Sequence, residues 1–216
     1  MKKVVLVSLA FCAFLFSNAQ EKSGSSKLTK NGLFIDTFVG TAQTDSSSST
    51  TFSSTSGIGG GLKFGNIWYF GSNDMWKPGF KTTWLRAGAY FGDEKIKFQG
   101  TVLNVGFANI IKFTNEIGIE ANVNAGYNVL LSLDNATYTD YYGNSYVDSN
   151  NDFAGGGIMF NPEVKFRYNV LAVGLDFVFS NITSFESEQF GSGTSSYYST
   201  VKTGFTAINL TIGAKF

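Results

Sequence analysis

Any chemistry in this chain has to be done without histidine, of which it has none, and with a single cysteine, Cys12. A Ser-His or Asp-His apparatus is therefore impossible, and zinc held through His or Cys is excluded as well. The charged groups that fall on the polar side of alternating stretches are Lys63, Arg86, Glu116, Glu120, Glu163, Lys165, Arg167, Asp176 and Lys215. Basic and acidic residues are mixed among them, so the chemistry they suggest is mutual pairing. Asp45, Asp134, Asp140, Asp148 and Asp152 lie in or beside polar loops and could bind calcium, but the EF-hand spacing is absent. Gly57 to Gly61 has no Lys-Ser/Thr after it and opens no helix, so close strand packing accounts for it better than a phosphate loop. Asn135-Ala136-Thr137 and Asn181-Ile182-Thr183 are glycosylation sequons. Neither an enzyme nor a cofactor or metal is expected.

The elements that must position these charges are strands. Ile117, Ile119, Ala121, Val123, Ala125, Tyr127, Val129 and Leu131 alternate without a break with Glu116, Gly118, Glu120, Asn122, Asn124, Gly126 and Asn128. A period of two over this length exceeds the ordinary soluble strand of about five or six residues. It covers the roughly nine to eleven needed to cross a bilayer obliquely. Seven further segments alternate similarly. Around residues 31–42 both faces carry apolar residues, and the facing stays open. In residues 56–67, Ile58, Leu62 and Phe64 oppose Gly59, Gly61, Lys63 and Gly65. In residues 81–91, Leu85, Ala87, Ala89 and Phe91 oppose Trp84, Arg86, Gly88 and Tyr90. The next, residues 96–111, sets Leu103, Val105, Phe107 and Ile111 against Val102, Asn104, Gly106 and Ala108. Residues 152–167, 170–181 and 199–216 complete eight. Pro78 is expected in a connection and Pro162 at a bulge, because proline cannot donate to a ladder. Long polar loops are expected at residues 43–55, 133–151 and 182–198.

The amino-terminal segment, residues 1–19, reads as a secretory signal peptide. Lys2 and Lys3 precede an apolar run from Val4 to Phe16 and a cut after Ser17-Asn18-Ala19. That run is too short to span a bilayer. Phe11 directly before Cys12, with apolar residues after it, argues against lipidation. Residues 20–30 read as a flexible leader and 31–216 as the folded domain. Without Cys12 the exported chain has no disulfide to rely on. Losing Lys2 and Lys3 from a balance of 16 basic and 16 acidic residues leaves a formal charge of about −2, which gives no nucleic-acid footprint.

The last segment alternates Ile208, Leu210, Ile212, Ala214 and Phe216 with polar or small residues and ends on an aromatic. With the signal peptide, this resembles the carboxy-terminal assembly signal of Gram-negative outer-membrane β-barrels. The folded chain is similar to the OmpX and OmpA-transmembrane-domain group. That resemblance implies an all-β, eight-stranded, antiparallel, up-and-down transmembrane β-barrel in the outer membrane, monomeric, with membrane lipid and the outer-membrane assembly machinery as partners. Small barrel enzymes of the outer membrane rely on a histidine in their catalytic groups, and this chain has none. Trp68, Tyr69, Phe70 and Trp76 would form an interface girdle of aromatics. The nine charges would face inward and pair, since so small a barrel has room only for side chains. The expected role is structural or surface interaction through long loops carrying Tyr138, Tyr141, Tyr142, Tyr146, Tyr197 and Tyr198. The alternatives are a narrow passage for small apolar solutes, as in the OmpW type, and a soluble exported sandwich or lipocalin-like carrier.

Overall fold

The computed structural model describes residues 27–46, 55–70, 75–92, 95–134, 137–139, 145–147, 153–189 and 196–216. The signal-peptide reading and the aspartates at 140, 148 and 152 lie outside these residues. A 3-10 turn, Lys27–Thr29, leads into β1 (Gly32–Ser46), β2 (Thr55–Tyr69), β3 (Trp76–Gly92), β4 (Lys95–Lys112) and β5 (Ile117–Asp134). A small hairpin follows, β6 (Thr137–Thr139) and β7 (Ser145–Val147), and then β8 (Phe153–Tyr168), β9 (Leu171–Gln189) and β10 (Ser196–Lys215). The eight long strands close into one barrel in the order β1-β10-β9-β8-β5-β4-β3-β2, all pairs antiparallel. The seam runs from Phe34 opposite Lys215 to Ser46 opposite Thr203. Closure leaves no edge strand to protect along this wall.

Period-two alternation puts one set of side chains inside and the other outside. Val39, Leu62, Val105, Val123, Phe160, Val164, Leu175 and Leu210 are exposed on the outer wall. Asp36, Lys63, Glu120, Glu163, Lys165 and Asp176 are buried in the lumen. The chain is thus polar inside and apolar outside.

Two bulges correct the facing expected for the third and fourth strands. Along β2 and β3, Phe64 pairs with Leu85 and Gly65 with Thr83, which leaves Trp84 as an extra residue. Trp84 therefore points outward, where its indole N–H donates to Asn66 Oδ1 at 2.7 Å. Along β4 and β5 the register shifts between Thr101 and Asn104, and Val102 and Leu103 are both exposed, Leu103 with φ 60°. Val102 is therefore outward as well. Thr83 pairs with Asn104 and Leu85 with Val102, so the two irregularities meet across the β3–β4 ladder.

The prolines also depart from expectation. Pro78 lies inside β3, one residue beyond the last β2 partner, Gly79. Its carbonyl accepts from the Phe70 amide at 2.9 Å, and its missing N–H falls on that same side, where the β2 ladder has ended. Pro162 sits in a continuous register with no bulge. Asn161 supplies the absent donor: its Nδ2 donates to the Phe177 carbonyl at 2.7 Å.

At the base, Asn169 with φ 54° makes the tight β8–β9 turn, since Asn tolerates the left-handed region. At the other end, β9 and β10 pair from Lys202 opposite Thr183 out to Ser196 opposite Gln189, beyond the seam. Much of the loop expected at residues 182–198 is therefore ladder, and part of the one expected at 133–151 is the β6–β7 hairpin.

Candidate functional site

The lumen holds the chemistry-bearing residues in three levels. In the middle, Asp176 Oδ2 accepts from Lys63 Nζ at 2.5 Å and from Arg86 Nη1 at 2.7 Å, and its Oδ1 from Asn209 Nδ2 at 3.2 Å. Glu163 takes Lys63 on Oε1 at 2.8 Å and Lys81 on Oε2 at 2.6 Å, with Lys165 3.1 Å from the same oxygen. Lys165 Nζ also donates to Asp36 Oδ2 at 2.5 Å. Toward the base, Glu120 Oε2 accepts from Arg167 Nε and, at 2.6 Å, from the Tyr69 hydroxyl, while Asn122 Nδ2 reaches Oε1 at 2.7 Å. Aromatic rings take up further positive charge: Lys81 lies 4.5 Å over Phe34, and the Arg86 guanidinium 4.2 Å over Phe38. These groups come from β1, β2, β3, β5, β8, β9 and β10, so the network ties together most of the wall.

Apolar side chains lie on either side of this level. Phe38, Ala42, Tyr90, Leu130, Met159, Val178, Ile182, Phe205 and Ala207 form the upper cluster. The glycine-rich run has its use here: a Cβ on Gly61 or on Gly88 would come within 2.7 Å of Phe38 Cζ, so bare backbone gives the inward ring its space. At the base, Leu28 from the 3-10 turn packs with Ile67, Tyr69, Ala108 and Ile110, and its carbonyl accepts from Lys215 Nζ. The leader is expected to be loose, yet its Leu28 is docked inside the barrel.

Of the nine charges expected inward, Lys63, Arg86, Glu120, Glu163, Lys165, Arg167, Asp176 and Lys215 are buried in the lumen. Glu116 is a correction: it has the right phase but lies in the exposed turn before β5, where its amide donates to Thr114 Oγ1. Asp36, Lys81 and Lys97 are buried too and were not anticipated. Asp36 sat on a strand whose facing was open, and the other two stand near the starts of strands whose faces were assigned only further along. Trp68, Phe70 and Trp76 are exposed near the base. Tyr69, expected beside them, points into the lumen, because alternation turns it away from its neighbours. At the end of β10, Ile208, Leu210, Ile212 and Phe216 are exposed outward, while small Ala214 is buried. The Phe216 amide donates to the Leu33 carbonyl at 2.8 Å.

The arrangement can hold charge. Among the described residues, no group of three or more His, Cys, Asp or Glu comes together to hold a metal. The geometry defines a closed, eight-stranded β-barrel with a filled ionic lumen and an apolar exterior.

No family model matches the chain, and no curated protein matches it in sequence. Among solved structures it is similar to Neisserial surface protein A, at 10% identity over 87% of this chain and 99% of that one, with a TM-score of 0.45. It is similar also to OprG from Pseudomonas aeruginosa, at 11% identity over 86% and 96% of the two chains, TM-score 0.41. The outer membrane protease OmpT from Escherichia coli matches at 7% identity over 86% and 96%, TM-score 0.41. At these levels the likeness carries no activity, ligand or partner over to this chain.

Proposed function

We propose that this protein is an integral outer-membrane barrel whose body is a sealed structural anchor and whose non-periplasmic end makes contacts at the cell surface, without catalysis. The observation that carries this reading is the inverted polarity: large apolar side chains cover the outside of a closed wall while ions fill the inside. Water would leave that exterior unpaired, whereas lipid matches it, and closing the ladder removes the open edge that lipid would not tolerate. Exposed Trp68, Phe70, Trp76, Phe113, Tyr168 and Phe216 cluster by the base connections, as an interface girdle requires. Ionic filling bounded by the two apolar clusters favours an anchor over a solute passage.

The surface role falls to the end opposite the base. There the β6–β7 hairpin sets Tyr138 opposite Tyr146, and the β9–β10 ribbon, which includes Tyr197 and Tyr198, continues beyond the seam. Tyr141 and Tyr142 lie outside the described residues. Tyrosines offer large amphipathic contact area at low entropic cost. The proposed setting is a monomer in lipid, delivered by the outer-membrane assembly machinery.

Fractionation with gel migration before and after boiling tests the anchor. Outer-membrane recovery with a heat-dependent shift is expected, and recovery in a soluble fraction without a shift would refute the reading. Planar-bilayer recordings should show no steady conductance. Replacing residues 185–200 by a short turn should leave the heat shift intact while abolishing any cell-surface binding the intact protein confers.

A further inference from the structure

Among the described residues, buried positive charge outnumbers buried negative charge in this lumen. Lys63, Lys81, Arg86, Lys97, Lys165, Arg167 and Lys215 are buried there, against the carboxylates of Asp36, Glu120, Glu163 and Asp176. In the middle level each carboxylate is shared between cations. Among the described residues Arg86 Nη2 has no hydrogen-bond acceptor, but its guanidinium lies on the Phe38 ring, which takes part of that charge. The base is different. Arg167 gives Nε to Glu120, while its Nη1 is buried with no hydrogen-bond partner among the described residues. Lys215 donates to the Leu28 carbonyl and lies 4.5 Å over the Tyr69 ring, with no carboxylate at ion-pair distance among the described residues.

These two cations converge. Arg167 pairs with Ala172 and Ala172 with Gly213, two residues before Lys215 on the same inward face. Tyr69 joins them, its ring beneath Lys215 and its hydroxyl on the carboxylate that Arg167 shares. Among the described residues one carboxylate, Glu120, thus serves two buried cations, and a buried cation left without a carboxylate is costly.

We propose that the base of the barrel binds a small monovalent inorganic anion of halide size, held between Arg167 Nη1 and Lys215 Nζ and covered by Leu28. One monovalent anion cancels the local excess and accepts from both donors. The close apolar surround of Leu28, Ile67, Ala108 and Ile110 selects against large or strongly hydrated anions. Lys77 and Lys112 stand at the mouth on inward ladder positions, opposite Ile110 and Gly118, and are only partly buried. They raise the local anion concentration at the entrance.

Bromide is the probe. Crystals of the detergent-solubilised protein grown in bromide should show an anomalous peak between Arg167 and Lys215 that is absent from K215M. In parallel, the midpoint of the heat-dependent gel shift should rise saturably when gluconate is replaced by bromide at constant ionic strength, and this wild-type measurement needs no variant to fold. Bromide found only on the outer surface, water without anomalous signal at Arg167, or equal midpoints in the two salts would each overturn the site.

Discussion

Between Asp36 and Asp176 the lumen is filled by ions that hold one another, whereas above Arg86 much of the filling is apolar, from Phe38, Met159, Val178 and Ile182, joined by Tyr90 with its hydroxyl on Asn209. The two levels stabilise the barrel differently. In the ionic level each group is tied to named partners on distant strands, so losing one strands the others in a low dielectric. In the apolar level a lost group leaves a void that its neighbours can partly close. The ionic level therefore specifies which strands meet, and the apolar level supplies packing.

Substitutions should separate these roles, beginning with the largest effect. Asp176→Leu leaves Lys63 and Arg86 short of a carboxylate and should destabilise by about 3–5 kcal/mol in urea unfolding followed in detergent. Adding Lys63→Met to that variant should recover part of the loss, and a double variant no more stable than the single would show that the pair is not the coupled unit. In the apolar level, Met159→Ala should cost about 2–3 kcal/mol, with no second-site change in the ionic level restoring it. Asn161→Leu orphans the Phe177 carbonyl opposite Pro162 and should cost about 1–2 kcal/mol; wild-type stability would mean that carbonyl has another donor. The smallest effect has the opposite sign: Leu103→Gly relieves a left-handed leucine at the β4 bulge and should stabilise by up to about 1 kcal/mol in the same assay.

How far the sequence could be read follows from what alternation records. In β5 every inward and outward residue from Gly118 to Val129 was legible, because nothing interrupts the period. One extra residue reverses the faces, so the inserted Trp84 and Val102 were misassigned where β3 and β4 bulge together. Alternation also does not mark where a strand ends, which is why Glu116 was placed inside. Tyr69 was drawn to the girdle by its aromatic neighbours, although its phase already placed it on the face of Lys63. Asp36 could not be assigned from its own strand, with Phe34 and Phe38 on one face and Leu33 and Val39 on the other. Pro162 followed a rule that assumes the backbone must supply the missing donor, and a neighbouring amide supplies it instead.

The seam between β1 and β10 has a kinetic consequence. Thr37 Oγ1 bonds the Ile212 carbonyl across 175 residues of chain, while every other neighbouring pair of long strands adjoins in sequence or is separated only by the β6–β7 hairpin. Hairpins can form early and locally, but this last ladder must wait until the opposite ends of the domain meet, at a loop-closure cost that short-range pairs never face. Sealing the seam is therefore the slow step, and until it is complete the edges of β1 and β10 remain open to pairing with other chains.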